Sequence, residues 1–305
     1  CERLLEQGDQ VTVIDDLSTG KYANIGHLEG HGRFRLVIDT VLNQALAEEL
    51  VKEADVVYHL ASAVGVSLVI SQPVKTIKTI LGGTEVILSA ARRYRRRVLI
   101  TSTSEVYGKG SKVPFSEDDD TVQGATSIRR WAYANAKAMD EFLALAHWHE
   151  TRLPVICARL FNTVGPRQTG QYGMVIPRFV QQALQGEPIT VHGDGEQSRS
   201  FCHVADAVDA LVKLMACDGA LGKVVNIGNP EEVTVMQLAE RVKRLTGSAS
   251  EIRKIPYEVA YNAGFEDMRR RVPDIARAKG LIGFAPTRTL DDILRDVIVT
   301  TEWSQ

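Results

Sequence analysis

Strand-like and helical segments alternate along the first half of the chain, and this alternation limits its fold more than any single residue does. "QVTVIDD" reads as a buried strand, "ALAEELVKEA" as an amphipathic helix and "DVVYHLAS" as another strand. A helix through "GTEVILSAARRY", the strand "RVLITSTS", a long helix through "YANAKAMDEFLALAHWHE" and the strand "LPVICARLF" follow. Alternation at this length implies parallel βαβ units, with helices on both faces of one sheet. The expected fold class is therefore α/β, with a doubly wound parallel sheet. In such a sheet a ligand lies beyond the carboxyl ends of the strands. Asp15, Asp39, His59, Ala61, the group Thr103 to Glu105, and Asn162 all fall at such ends. After Gly165-Pro166 the texture changes to Gly- and Pro-punctuated segments with shorter helices, so we divide the chain into domains at 1–164 and 165–305. "VVNIGNP" has the look of a strand, and a segment near 200–228 is expected to return to the main sheet.

The chain has 305 residues, 44% hydrophobic and 24% charged, enough to bury a large core, and its net charge of -2 asks for neither nucleic acid nor an anionic membrane. The basic run "ARRYRRR" (91–97) reads as a solvated helix terminus that complements the helix dipole, and "SEDDD" (116–120) as a solvated loop. Cys1, Cys157, Cys202 and Cys217 form no C-x-x-C pair, and "HWH" (147–149) points its imidazoles to different sides of a helix, so no metal site is expected. No apolar stretch approaches the roughly 18 residues that span a bilayer, and no secretory leader is visible. A reducing, cytoplasmic setting fits.

In "RRWAYANAKAMDE" (129–141), Tyr133 and Lys137 stand at i and i+4, about 5–6 Å apart at Cβ on one helix face. A lysine ammonium there favours a neighbouring phenolate, which would make a general base for a hydroxyl. The same spacing also suits an ordinary solvated pair, and alone it does not decide. Asp15, ending "VTVID", is suited to hydrogen-bonding an adenosine ribose 2′-hydroxyl and would repel a 2′-phosphate, favouring NAD over NADP. A dinucleotide fold also needs a strand and a glycine-rich turn about 20 residues before that acid. Neither is present, and Cys1 reads as mid-helix. The expectation is that about 15–20 native residues precede it.

Seven segments occur together and in order: "DDLSTG" (15–20), "YHLAS" (58–62), "STSEVYG" (102–108), "YANAK" (133–137), "RLFNTVGPRQ" (159–168), "GDGEQSRSF" (193–201) and "NIGNPEE" (226–232). On them the chain resembles the extended short-chain dehydrogenase/reductases, the nucleotide-sugar epimerases, dehydratases and decarboxylases. The resemblance implies a Rossmann-type first domain that binds NAD and a smaller α/β second domain that binds a nucleoside-diphosphate sugar. It implies Tyr133 as the base, Lys137 as its electrostatic partner and ribose ligand, and Thr103 as a hydrogen-bonding group near the sugar 4-hydroxyl. Cofactor contacts are implied at Asp15, Ser18, Thr19, Gly20, Asp39, Thr40, Leu60, Ala61, Ser62, Tyr133 and Lys137. Substrate contacts are implied at Ser104, Asn162, Val175, Pro177, Arg178, Arg199 and Arg271, with Asn162 and Arg199 on the diphosphate. A homodimer through helices near 75–93 and 132–149 is implied as well. Two positions depart from the pattern: Ile80 stands where relatives often carry Asn, and Ser200 where an acid is commoner.

Once C4 of the sugar is oxidised to a ketone, three reactions open: loss of a C5 carboxylate as carbon dioxide, loss of water, or return of hydride to the other face. "TSE" (103–105) sets Glu105 beside the reacting sugar, and "FEDMRRRVPDIARAK" (265–279) resembles the segment in which bacterial glucuronate decarboxylases carry an active-site arginine, here Arg271. Both features, with Glu105 and Arg271 as further catalytic candidates, lean towards decarboxylation of UDP-glucuronate. A 4-epimerase comes next, then a 4,6-dehydratase. A silent dinucleotide sensor or scaffold is the non-enzymatic alternative, against which the retained Tyr133 and Lys137 count.

Overall fold

The computed structural model describes residues 1–63, 65, 69, 71–168, 174–260 and 266–302. Its main sheet has four parallel strands in the order β10-β5-β4-β3: β3 is Val56–His59, β4 Arg97–Thr103, β5 Val155–Leu160 and β10 Lys223–Ile227. The central strands are covered on both faces. Helices α2 (Gln44–Glu53), α3 (Pro73–Tyr94) and α4 (Trp131–Thr151) pack Ala47, Leu88 and Ala144 against Val98, Ile100 and Cys157. On the other face α6 (Val204–Ala216) and α9 (Ala276–Ile282) press Leu211, Leu214 and Ala278 onto Leu99, Ile156 and Val225. Burying each such side chain is worth about 1.5–3 kcal/mol, so the continuous apolar run of β5 follows from two-sided burial rather than from alternation.

The amino-terminal elements stand apart. Helix α1 (Glu2–Glu6) and strands β1 (Val11–Asp15) and β2 (Phe34–Ile38) share a small core of Leu5, Val11 and Leu28. β1 pairs with β2 in register Val11 to Phe34, and among the described residues no ladder joins this pair to the main sheet. A parallel sheet without its first strand was expected, and among the described residues the strands form two pieces. β1 and β3 are therefore both edge strands, and Ile38, which two-sided cover would bury, is 63% exposed.

The second region holds its own core of Phe179, Val180, Ile189, Leu238 and Ile293. It is built from α5 (Val175–Leu184), β7 (Ile189–His192), β8 (Ser198–Ser200), β11 (Glu232–Thr234), α7 (Val235–Thr246), β12 (Ile252–Ile255) and α10 (Leu290–Glu302). β6 (Thr163–Val164) and β9 (Cys202–His203) pair in parallel between the two regions, and α8 is the short turn Tyr257–Ala260. Helix α7 shows local sequence setting both ends: Thr234 and Gln237 form a capping box, and Gly247 ends the helix at φ 64, where a side chain would be strained.

The acidic run needs a correction. Glu117 of "SEDDD" is buried, and its carboxylate accepts the Asn226 N–H at 2.8 Å. The Asn226 side chain in turn donates to the carbonyls of Phe115 and Asp274. One acid of that run therefore orders backbone behind the sheet.

Candidate active site

A cavity of about 520 Å³ opens where β3, β4 and β5 end, within the size range of small-molecule sites. Tyr133 and Lys137 project into it from the first turns of α4, and Thr103 from the end of β4. The Thr103 oxygen accepts the Glu105 N–H at 3.3 Å and also hydrogen-bonds the Tyr133 hydroxyl. Burial raises the Tyr133 phenol above its ordinary value, the Glu105 carboxylate raises it further, and the Thr103 bond and Arg271 oppose them. This corrects the expectation of a phenol made acidic by Lys137. The ammonium instead donates to Asp140 at 2.7 Å, one turn further along the helix.

Facing this pair is a network assembled from distant segments. Glu105 accepts from Arg130 at 2.7 Å and from Arg271 at 3.2 Å. Asp267 accepts from Arg199 at 2.7 Å and from Tyr257 at 3.2 Å, and stands 3.5 Å from Arg130. Three guanidiniums against two carboxylates leave one excess positive charge in a nearly sealed wall. Burial pushes the Glu105 carboxyl up, but Arg130 and Arg271 outweigh it and hold it below its usual range. Asp267 is held low in the same way, chiefly by Arg199. Burial and the neighbouring Arg199 bring Arg271 down to about 10. Its second NH₂ donates to the Asn162 side-chain oxygen, while the Asn162 amide donates to the Ser200 carbonyl at 2.7 Å. Asn162 has φ 33, a left-handed turn that Asn tolerates better than most residues. The Arg271 Nε is buried without a protein acceptor. Arg269 and Arg270 pair outward with Asp194 and Glu232 on the segment that carries Arg271.

The family model described as GDP-mannose 4,6 dehydratase matches residues 1–297. A UDP-N-acetyl-alpha-D-glucosaminuronate decarboxylase of Bacillus cytotoxicus is 40% identical, the match covering 98% of this chain and 92% of that protein. The chain belongs to the extended short-chain dehydrogenase/reductases. Among further members, UDP-glucuronic acid decarboxylase 1 of Xenopus tropicalis is 38% identical over 97% of this chain and 67% of its own length. The structure of a UDP-glucuronic acid 4-epimerase from Bacillus cereus, in complex with UDP-glucuronic acid and NAD, superposes with a TM-score of 0.90 at 25% identity, covering 100% of this chain and 95% of that one.

Of the residues that resemblance to these dehydrogenase/reductases implied, Leu60, Ser62, Thr103, Ser104, Glu105, Tyr133, Lys137, Asn162, Val175, Arg178, Arg199 and Arg271 line the cavity. Asp15, Ser18, Thr19, Gly20, Asp39, Thr40, Ala61 and Pro177 are not among its lining residues. Asp15 holds its own turn, accepting the Leu17 N–H at 2.8 Å with Gly20 close against the carboxylate. Asp39 accepts from the Thr40 N–H and the Asn43 amide. Pro177 is buried on the inner face of α5. Arg178 contacts the His192 ring at 2.8 Å and donates to the Thr190 carbonyl. Phe265, at the start of the decarboxylase-like segment, lies outside the described residues. Arg199, expected on a diphosphate, also donates to the Ser198 and Met268 carbonyls within the wall. Sequence reasoning missed Arg130, Asp267 and Tyr257. Arg130 stands immediately before Trp-x-Tyr, and Asp267 four before Arg271, so an acid and a base flanking the candidates were the available signal.

The residues present fit a nicotinamide dinucleotide over part of its length. The Ser62 hydroxyl is buried without a protein partner and lines the cavity with Leu60, Tyr133 and Lys137. Among the described residues there is no glycine-rich strand-to-helix turn for a pyrophosphate. No cluster among them could hold a metal ion, and none of their helices is long and apolar enough to cross a membrane.

Proposed function

We propose that the chain decarboxylates UDP-glucuronate through a 4-keto sugar, with the 2-acetamido hexuronate as the next substrate to try. The observation that carries this reading is the excess positive charge of the Arg130, Arg199 and Arg271 wall, which a sugar carboxylate would neutralise and a neutral hydroxymethyl group would not. The decarboxylase relatives support it.

Asp15, Ser62 and Lys137 would hold NAD, which when bound would supply a hydride acceptor for C4 and a positive ring charge that favours a phenolate. Tyr133, bonded to Thr103, takes the proton of the C4 hydroxyl. Arg271 pairs with the C5 carboxylate. Once C4 is a ketone, the bond to the carboxyl carbon breaks, carbon dioxide leaves, and its electron pair passes to the C4 oxygen as an enolate facing the same cation. A proton taken up at C5 would restore the ketone, and return of the hydride to C4 with the Tyr133 proton to its oxygen would give the alcohol, so the net loss is one carbon dioxide. Glu105 beside a substrate carboxylate would be repulsive on its own, but its two arginines offset it. Asn162 and Arg199 line the diphosphate, and Val175 and Arg178 the nucleoside.

The same reading takes residues 1–164 as the dinucleotide domain and 165–305 as the substrate domain, with a stretch near 200–228 back in the main sheet. It makes the enzyme a cytoplasmic homodimer through α3 and α4, which expose Val74 (65%) and Phe142 (66%). The test incubates full-length protein with UDP-glucuronate, UDP-glucose and GDP-mannose and weighs the products. Loss of one carbon dioxide from UDP-glucuronate is expected. Its recovery unchanged, or inverted at C4, refutes decarboxylation, and the second outcome installs the 4-epimerase reading that the Bacillus cereus structure favours.

A further inference from the structure

The Lys137–Asp140 pair is sealed from solvent, with side chains 3% and 0% exposed. Burial raises the Asp140 carboxyl, while Lys137 and the fully buried Thr84 of another helix, α3, oppose the rise. His59 Nε2 stands 3.2 Å from the Thr84 oxygen. Burial, with Lys137 nearby, lowers this imidazole to about 3, so it is neutral. Ile80, one turn before Thr84 on α3, is buried and offers no hydrogen bond.

We propose that Asp140 is a positioning residue for the redox step: backed by Thr84 and His59, it fixes the Lys137 ammonium in the cavity wall one helical turn from Tyr133. Lysine has a flexible stem and three donors. One is committed to Asp140, and because Lys137 lines the cavity the others remain for a ligand there. A buried ammonium without an anion is driven towards its neutral form, and a neutral amine gives a nascent phenolate nothing to face. Asp140 thus acts through Lys137 and touches no reacting atom. The proposal rests on Tyr133 and Lys137 being the reacting pair.

The experiment uses full-length holoenzyme carrying Asp140→Asn, which keeps the shape and removes the charge. On mixing with the nucleotide sugar, nicotinamide reduction should slow about tenfold or more, with KM for the sugar within about twofold. The NAD retained through gel filtration should fall. In a Lys137→Met background, Asp140→Asn should slow reduction no further, because its effect runs through the lysine. A rate within about twofold of the parent in folded protein, or effects that multiply in the double variant, overturns the proposal. Should Asp140→Asn not fold, Thr84→Val removes the supporting hydroxyl at constant shape. It should slow reduction about threefold at unchanged KM, and an unchanged rate there also overturns the proposal. A parent that reduces its nicotinamide with none of the three sugars refutes the functional reading instead, a result distinct from a variant that matches an active parent.

Discussion

The two charged ends of this molecule are built on opposite principles. At the arginine wall each acid is gripped by partners remote in sequence: Glu105 and Arg271 are 166 residues apart, and Arg199 and Asp267 are 68 apart. At the tip of β1, Asp15 holds the N–H two residues along, in the open. Burial accounts for the difference. A sealed charge must find a counter-charge wherever the fold can supply one, whereas an exposed carboxylate has water and its own turn. Substitutions at the wall should therefore disturb both chemistry and stability, and those at Asp15 should disturb only binding.

The largest effect should come from between the two ends. Tyr133→Phe removes one hydroxyl from a cavity that stays otherwise intact, and should cut nicotinamide reduction about a thousandfold with little change in melting temperature. Stopped-flow absorbance and thermal unfolding check the two halves of that statement. A residual rate within about tenfold of the parent would remove Tyr133 as the base.

Next comes the wall itself. Arg271→Met leaves Glu105 with one partner and should cost about 3 kcal/mol of stability together with about a hundredfold in carbon dioxide release. Glu105→Gln should spare the first oxidation and slow the later step, so reduced nicotinamide accumulates. Equal loss in both steps would refute that division of labour.

A smaller effect is set by pH. Glu105 and Asp267 have folded-state values below their unfolded ones, so the stability they contribute is present above about 4 and lost as pH falls through the lower folded values. The melting temperature should drop on acidification below about pH 4, and Glu105→Gln with Asp267→Asn should flatten that drop. An unchanged slope would show that other acids control it.

The sequence made one kind of feature legible and hid the other. The strands, the α4 face carrying Tyr133 and Lys137, and the strand ends were readable because periodicity and spacing are local. Arg271 was readable through a motif. The wall was not, since nothing near Arg130 announces that Asp267 lies against it. The partner of Lys137 was also mistaken. The i+4 relation to Tyr133 was weighed and the i+3 relation to Asp140 was not, although a buried ammonium is satisfied by an anion before a neutral phenol. Glu117 was lost for the same reason, as its acceptor role is fixed by Asn226, 109 residues away.

The smallest expected effect is the one that most sharply tests the contrast between the ends. Asp15→Ala removes an exposed carboxylate that accepts from the Leu17 N–H of its own turn, so stability should change by no more than about 0.5 kcal/mol. Its loss should weaken NAD by about one charged hydrogen bond, roughly tenfold. It should also narrow the preference over NADP, because the repulsion of a 2′-phosphate disappears with the charge. Calorimetric titration with both dinucleotides and a thermal melt separate these quantities. A melt lowered as far as that of Arg271→Met would mean that the exposed end is coupled into the core after all, and that burial is not what divides the two regions.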